Sequence, residues 1–235
     1  MNLLKADLHI HTSEDPEDFI RYSATELIDM AHELGYSVLS ITNHNCLTFN
    51  SFLRDYAKER GIILIPGMEA TIQRRHVLLY NLDFHDIKKN DLSSLYKQKR
   101  NDSLIIAPHP YFPSPVALRG LFHRYLDLFD AVEYSHFYTK TVNFNQKALA
   151  IAAQKGLPVV GTSDAHQRRQ FHRTYSLIEA EPEMESVIDA IKKGRVQIVT
   201  QPLTFFEAMH ISFSMVFRNQ VLQQLPKTGV AFQKK

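Results

Sequence analysis

A chain of 235 residues with 44% hydrophobic side chains can bury one sizeable core, near the upper end of what a single domain serves. Lys and Arg number 27 against 25 Asp and Glu, and a net charge of +2 does not supply the basic footprint of a nucleic-acid binder. The one cysteine, Cys46, excludes an internal disulfide and any four-thiolate metal site.

The amino terminus lacks the longer apolar run of a signal peptide, and no uncharged apolar stretch reaches the roughly 18 residues that span a bilayer. A soluble, cytoplasmic protein without a membrane partner is the expectation. Short branched-apolar runs alternate with stretches of helical periodicity, which is the pattern of an α/β chain winding a parallel sheet. Strands are predicted near Leu3–Leu8, Val38–Thr42, Ile62–Pro66, Val77–Asn81, Leu104–Ala107, Ala131–Tyr134, Val159–Gly161 and Gln197–Thr200. The clearest helices are Ala24–Leu34, capped by Ser23 and closed by Gly35, then Phe49–Arg60 closed by Gly61, and Thr141–Lys155 closed by Gly156. Near seven or eight such units a sheet can close into a barrel, which gathers its functional residues at the carboxyl ends of its strands. Residues 1–200 are read as that barrel domain and 201–235 as a tail. The tail's apolar segment, 205–217, is too short to span a membrane and is expected to form a helix packed on the barrel or an interface.

Chemistry appears where a barrel would put it. The first strand ends Asp7-Leu8-His9-Ile10-His11-Thr12, and histidines at i and i+2 on extended backbone face the same way, so they can share a metal. The second ends Thr42-Asn43-His44-Asn45, and Glu69 follows the third in Gly67-Met68-Glu69. His76 opens the next strand, and His109 stands between Pro108 and Pro110, which restrict where its ring points. Finally, Gly161-Thr162-Ser163-Asp164-Ala165-His166 repeats the i and i+2 spacing with a carboxylate and an imidazole. A metal-capable side chain at the end of nearly every predicted strand points to a metal centre rather than to scattered surface histidines.

The order and spacing of these five motifs, including Ala107-Pro108-His109-Pro110, resemble the PHP family, named for polymerase and histidinol phosphatase proteins, from about Asp7 to Thr200. The resemblance implies a distorted (β/α)7 barrel holding two or three divalent ions, of zinc, manganese or iron, at its carboxyl-end mouth. It implies one metal on His9, His11, Glu69 and Asp164, and a second on Glu69, His76 and His109, with Glu69 bridging. A third would take His44, His166 and an acid after the first motif. Pro16 stands where relatives place that acid, and Asp15 is chosen from Glu14, Asp15, Glu17 and Asp18. Asn43 stands where many relatives carry aspartate and is expected to support the ligands from behind. Cys46 is read as a plain thiol.

Such a centre suits a phosphatase or phosphoesterase (EC 3.1), in which a metal-activated hydroxide attacks the phosphorus of a small phosphorylated metabolite or nucleotide. Asp164 and His166 are expected to move the proton, and Arg119, Arg168 and Arg169 to grip the phosphate. Alternatives are a nuclease or nucleotide-bisphosphate phosphatase acting on nucleic-acid ends, which is not favoured because no basic groove is evident, a non-catalytic metal-bound regulatory module, and hydrolysis of a carbon–nitrogen bond. The oligomeric state is left open. Histidines of ordinary pKa predict that metal affinity falls below about pH 6.

Overall fold

The computed structural model describes residues 2–222. In chain order the elements are β1 (Asn2–Ile10), α1 (Ala24–Glu33), β2 (Val38–Ile41), α2 (Ser51–Lys58), β3 (Ile63–Leu64), β4 (Gly67–Ile72), β5 (Arg75–Tyr80) and β6 (Leu104–Ala107). The second half contains α3 (Gly120–Arg124), β7 (Ala131–Ser135), α4 (Gln146–Lys155), β8 (Val159–Thr162), β9 (Thr174–Ala180), α5 (Met184–Lys192), β10 (Val196–Thr200) and α6 (Phe205–Leu222).

Local chemistry explains the boundaries. The Ser23 side chain accepts the Glu26 N–H while the Glu26 carboxylate accepts the Ser23 N–H, a reciprocal cap that typically stabilises a helix start by about 1 kcal/mol. Helix α4 ends at Gly156, with φ +65°, a left-handed turn that glycine makes without a Cβ clash. Its start comes five residues later than the predicted Thr141, at Gln146. Asn145 is tied instead to the end of β7, accepting the Ser135 N–H and donating to the Ser135 carbonyl.

The strands form two five-stranded sheets, ordered β10-β9-β1-β2-β3 and β4-β5-β6-β7-β8. The expected α/β fold stands in these two sheets, and no closed (β/α)7 ladder joins them among the described residues. Antiparallel pairings interrupt the repeat: β9 lies antiparallel to β1 and β10, and β5 to β4 and β6. The β4–β5 hairpin turns on Gln73 and Arg74, both left-handed at φ 50° and 63°, a two-residue turn that usually announces itself as Asn-Gly. Isolated parallel bridges from Ile10 to Ala165 and from His44 to Glu69 nevertheless connect the sheets at the carboxyl ends of β1 and β2.

Strand residues alternate between cores. Leu78, Tyr80, Leu104 and Ile106 join Leu4, Ala6 and Leu8 from the other sheet, whereas Val77, Leu79 and Ile105 pack outward against Phe122 and Ala152. With both faces buried, these strands read as continuous apolar runs. The shared core is sealed by hydrogen bonding as well as packing, since the Tyr80 hydroxyl donates across the sheets to the Leu8 carbonyl at 2.7 Å. Helix α6 is held by buried Ile211, by Arg173 on Glu207 and by Gln167 on Ser214. Among the described residues no helix is long and apolar enough to cross a membrane.

Candidate metal centre

The carboxyl ends of the strands converge on a cavity of about 490 Å³, within the usual range for small-molecule sites. His9 and His11 are fully buried, and their Nε2 atoms lie 3.2 Å apart. Glu69 Oε2 is 3.3 Å from both nitrogens. Asp164 Oδ1 is 3.3 Å from His9 Nε2 and 3.4 Å from His11 Nε2. Four donors placed about 2.0–2.1 Å from one tetrahedral ion would stand about 3.3–3.4 Å apart. The spacing of these four atoms therefore fits a divalent ion, and their buried nitrogen and oxygen character fits zinc, manganese or iron(II).

Glu69 extends the cluster in two directions. Its Oε1 lies 2.7 Å from His76 Nδ1 and 3.4 Å from His109 Nε2, while Oε2 lies 3.0 Å from His44 Nε2. Although Oε1 is buried and crowded by nitrogens, it receives no well-formed hydrogen bond. A buried carboxylate oxygen in that condition wants a cation. The rings of His44 and His166 stack on His11, with centroids 4.4 and 4.3 Å away, and the three rings offer a further nitrogen cluster.

Carboxylates behind the rings orient them. Glu133 Oε1 lies 2.7 Å from His9 Nδ1 and also accepts from the Thr162 hydroxyl, while Oε2 accepts the His109 backbone N–H at 2.6 Å. Asp15 Oδ2 lies 2.9 Å from the Nδ1 atoms of both His11 and His44. A proton on each of these Nδ1 atoms leaves Nε2 turned to the cluster with its lone pair free, the usual arrangement behind metal-binding histidines. His109 has φ +26° and Asp164 φ +44°, left-handed backbone that is costly for such residues and concentrates at functional sites. At His109 this departs from the extended backbone expected before proline, and the bond to Glu133 helps to hold it.

Burial alone would lower the pKa of His9, but Asp164, Glu133 and Glu69 raise it well above its ordinary value. Against the upward push of burial, hydrogen bonds from His11 and His44 hold Asp15 well below the usual carboxylate range. The cluster thus attracts positive charge strongly, and protons fill that role when no metal does.

The structure brings His9, His11, Asp15, His44, Glu69, His76, His109, Asp164 and His166 together. Asp15, chosen as the third acid, differs in kind from the others: besides its two histidines, its Oδ1 accepts the N–H groups of Glu17 and Asp18. Asp18 instead lines the cavity and places Oδ2 3.1 Å from His166 Nε2. Asn43 is buried, its amide bridging the Thr12 and Thr48 hydroxyls and touching none of the clustered side chains through a hydrogen bond. Cys46 belongs to none of the ligand clusters found among the described residues. The three arginines are not in the cavity. Arg168 is exposed and pairs with Glu26 at 2.9 Å, Arg169 is exposed, and Arg119 lines a separate depression with Arg75 and Arg124. Glu133 was missed; its signal is a lone acid inside the apolar strand Ala131-Val132-Glu133-Tyr134.

The PHP-associated family model matches residues 142–196, a span that contains Asp164 and His166. The chain is 29% identical over 165 residues to the uncharacterised protein MJ1587 of Methanocaldococcus jannaschii, covering 62% of this chain and 90% of that protein. A two-domain protein of Bacteroides vulgatus, described as containing a predicted PHP-like metal-dependent phosphoesterase, superposes with a TM-score of 0.65 at 20% identity, over 92% of this chain and 72% of that one. PsfC of Pseudomonas syringae superposes at 0.62 and 16% identity, over 94% and 100% of the two chains. An amidohydrolase of Chromobacterium violaceum, solved with sulfate and without metal, does so at 0.55 and 15% identity, over 82% and 97%.

Proposed function

We infer that this chain, which belongs with the PHP proteins, is a metal-dependent phosphoesterase acting on a small phosphorylated substrate. The observation that carries the reading is the division of Glu69, with Oε1 facing His76 and His109 and Oε2 facing His9, His11 and His44. In this reading His9, His11, Glu69 and Asp164 hold one ion, and Glu69, His76 and His109 hold a second. A third falls to His44, His166 and Asp18, with Asp15 supporting from behind. Divalent ions so held supply Lewis acidity toward water and phosphate oxygen, and positive charge where negative charge develops.

The chain's own groups orient and exchange protons. Glu133 and Asp15 fix the rings of His9, His11 and His44 through their Nδ1 atoms. His166 Nδ1 lies 3.0 Å from the Asp164 carbonyl, so its Nε2 is the atom left for an ion and cannot also carry a proton. Proton movement is therefore assigned to Asp164, whose carboxylate lines the cavity and keeps one oxygen beyond the Oδ1 that faces His9 and His11.

The test compares metal-loaded and chelator-stripped protein on 4-nitrophenyl phosphate, its bis ester and short RNA ends. Phosphomonoester hydrolysis that is lost on stripping and restored by zinc, manganese or iron(II) is expected. Hydrolysis confined to RNA would move the reading to a nuclease, and loaded protein inert toward all three would overturn it.

A further inference from the structure

One wall of the cavity is apolar and aromatic. Phe112, Pro113, Pro115 and Val116, from the loop after β6, face Phe137, which follows β7. The Phe112 ring stands 6.3 Å from that of His109, directly beside the proposed metal positions. It is braced edge-to-face by Phe137 at 5.3 Å and by Phe144 at 5.6 Å. A half-buried aromatic so braced presents a fixed flat surface to whatever occupies the cavity.

Charge on the lining is one-sided. Among the described residues that form it, the acids are Asp18, Glu69 and Asp164, and none is lysine or arginine. His136 adds no cation, because burial pushes its pKa down to about 4. Once the metals take up those three carboxylates and the reacting phosphate, the rest of the described lining is apolar or neutral, so a second phosphate held away from the metals would lie there without a cationic partner, a costly arrangement.

On the phosphoesterase reading, on which this inference rests, we propose that the site selects monophosphate esters whose leaving group is uncharged and aromatic, seated on Phe112 and Phe137. It therefore discriminates against bisphosphates and nucleic-acid ends.

The experiment uses the full-length, metal-loaded protein and its Phe112→Ala and Phe112→Leu variants, with 1-naphthyl phosphate, glycerol 3-phosphate and fructose 1,6-bisphosphate. Losing an aromatic platform worth roughly 1.4 kcal/mol lowers kcat/KM about 10-fold more for the naphthyl than for the glycerol ester in Phe112→Ala. This within-enzyme ratio cancels the esters' differing intrinsic reactivity. Phe112→Leu keeps the bulk of the wall and is expected to lose naphthyl preference in the same direction. Equal losses on both esters would assign Phe112 a structural role and overturn the proposal, as would preferred turnover of the bisphosphate by the wild type. If the loaded wild type turns over none of the three, the phosphoesterase reading fails. Fluorescence anisotropy of 1-naphthyl phosphate then decides the aromatic subsite separately: weaker binding to Phe112→Ala supports it and equal binding overturns it.

Discussion

Glu69→Gln is expected to lower phosphate-ester kcat/KM by about 1000-fold, equivalent to about 4 kcal/mol, and to reduce the metal retained per chain. Glu69 is 1% exposed and its two oxygens face five histidine rings. Glutamine preserves the shape but removes the negative charge and turns one oxygen into an N–H donor. The two nitrogen clusters then share no anion, so the loss reaches both proposed ions. Metal per chain by mass spectrometry, read beside the rate, separates this from a purely catalytic effect, and a thermal melt checks the fold. A variant with wild-type metal content and rate would contradict the bridging role.

The second large effect is on pH. Burial and the neighbouring His11 would lower the His44 pKa, but Glu69 and Asp15 raise it to about 10. His9 and His11 are raised as well, with carboxylates overcoming burial. In metal-free protein these rings therefore stay protonated through neutral pH, and a metal must displace their protons. Affinity should rise between pH 7 and 9 by about tenfold per unit for each proton displaced, levelling only as the pH passes about 10. Ordinary histidines, with pKa near 6.5, would give a plateau above about pH 7.5. The structure thus moves upward the window that the sequence placed near pH 6. Metal competition titrations at pH 7, 8 and 9, with proton release measured by calorimetry in buffers of different ionisation enthalpy, check this, and flat affinity without proton release would refute it. The shift also has a sign for stability in the metal-free fold. The contribution of His44 is fully present below its unfolded pKa near 6.5 and is lost as pH rises through about 10.

How much of this was legible in the sequence follows from the kind of signal each feature leaves. His9, His11, His44, Glu69, Asp164 and His166 were readable because an apolar run ending in a metal-capable side chain is a local pattern. Glu133 left only a charge inside a strand, and its partners His9, Thr162 and His109 come from three distant segments. That Asp18 reaches the cluster beside Asp15 was hidden in a loop without periodicity, where Asp15 Oδ1 accepts the backbone N–H groups of Glu17 and Asp18 while Oδ2 faces His11 and His44. The antiparallel strands were hidden for a similar reason. The hairpin at Gln73-Arg74 lacks the glycine that marks such turns. Strand β9 alternates buried with partly exposed residues and so lacks the continuous apolar run that marks the buried strands. Adjacency to Asp164 and His166 in sequence does not fix the side on which a side chain emerges, and Arg168 emerges toward Glu26 rather than into the cavity.

Anomalous diffraction from crystals of the protein grown with manganese or zinc would locate the ions that these side chains are proposed to hold. One peak is expected about 2.0–2.2 Å from each of His9 Nε2, His11 Nε2, Glu69 Oε2 and Asp164 Oδ1, with a second on the Oε1 side of Glu69 near His76 and His109. Metal bound only elsewhere, or no peak within this cluster at saturating metal, would contradict the proposed metal centre.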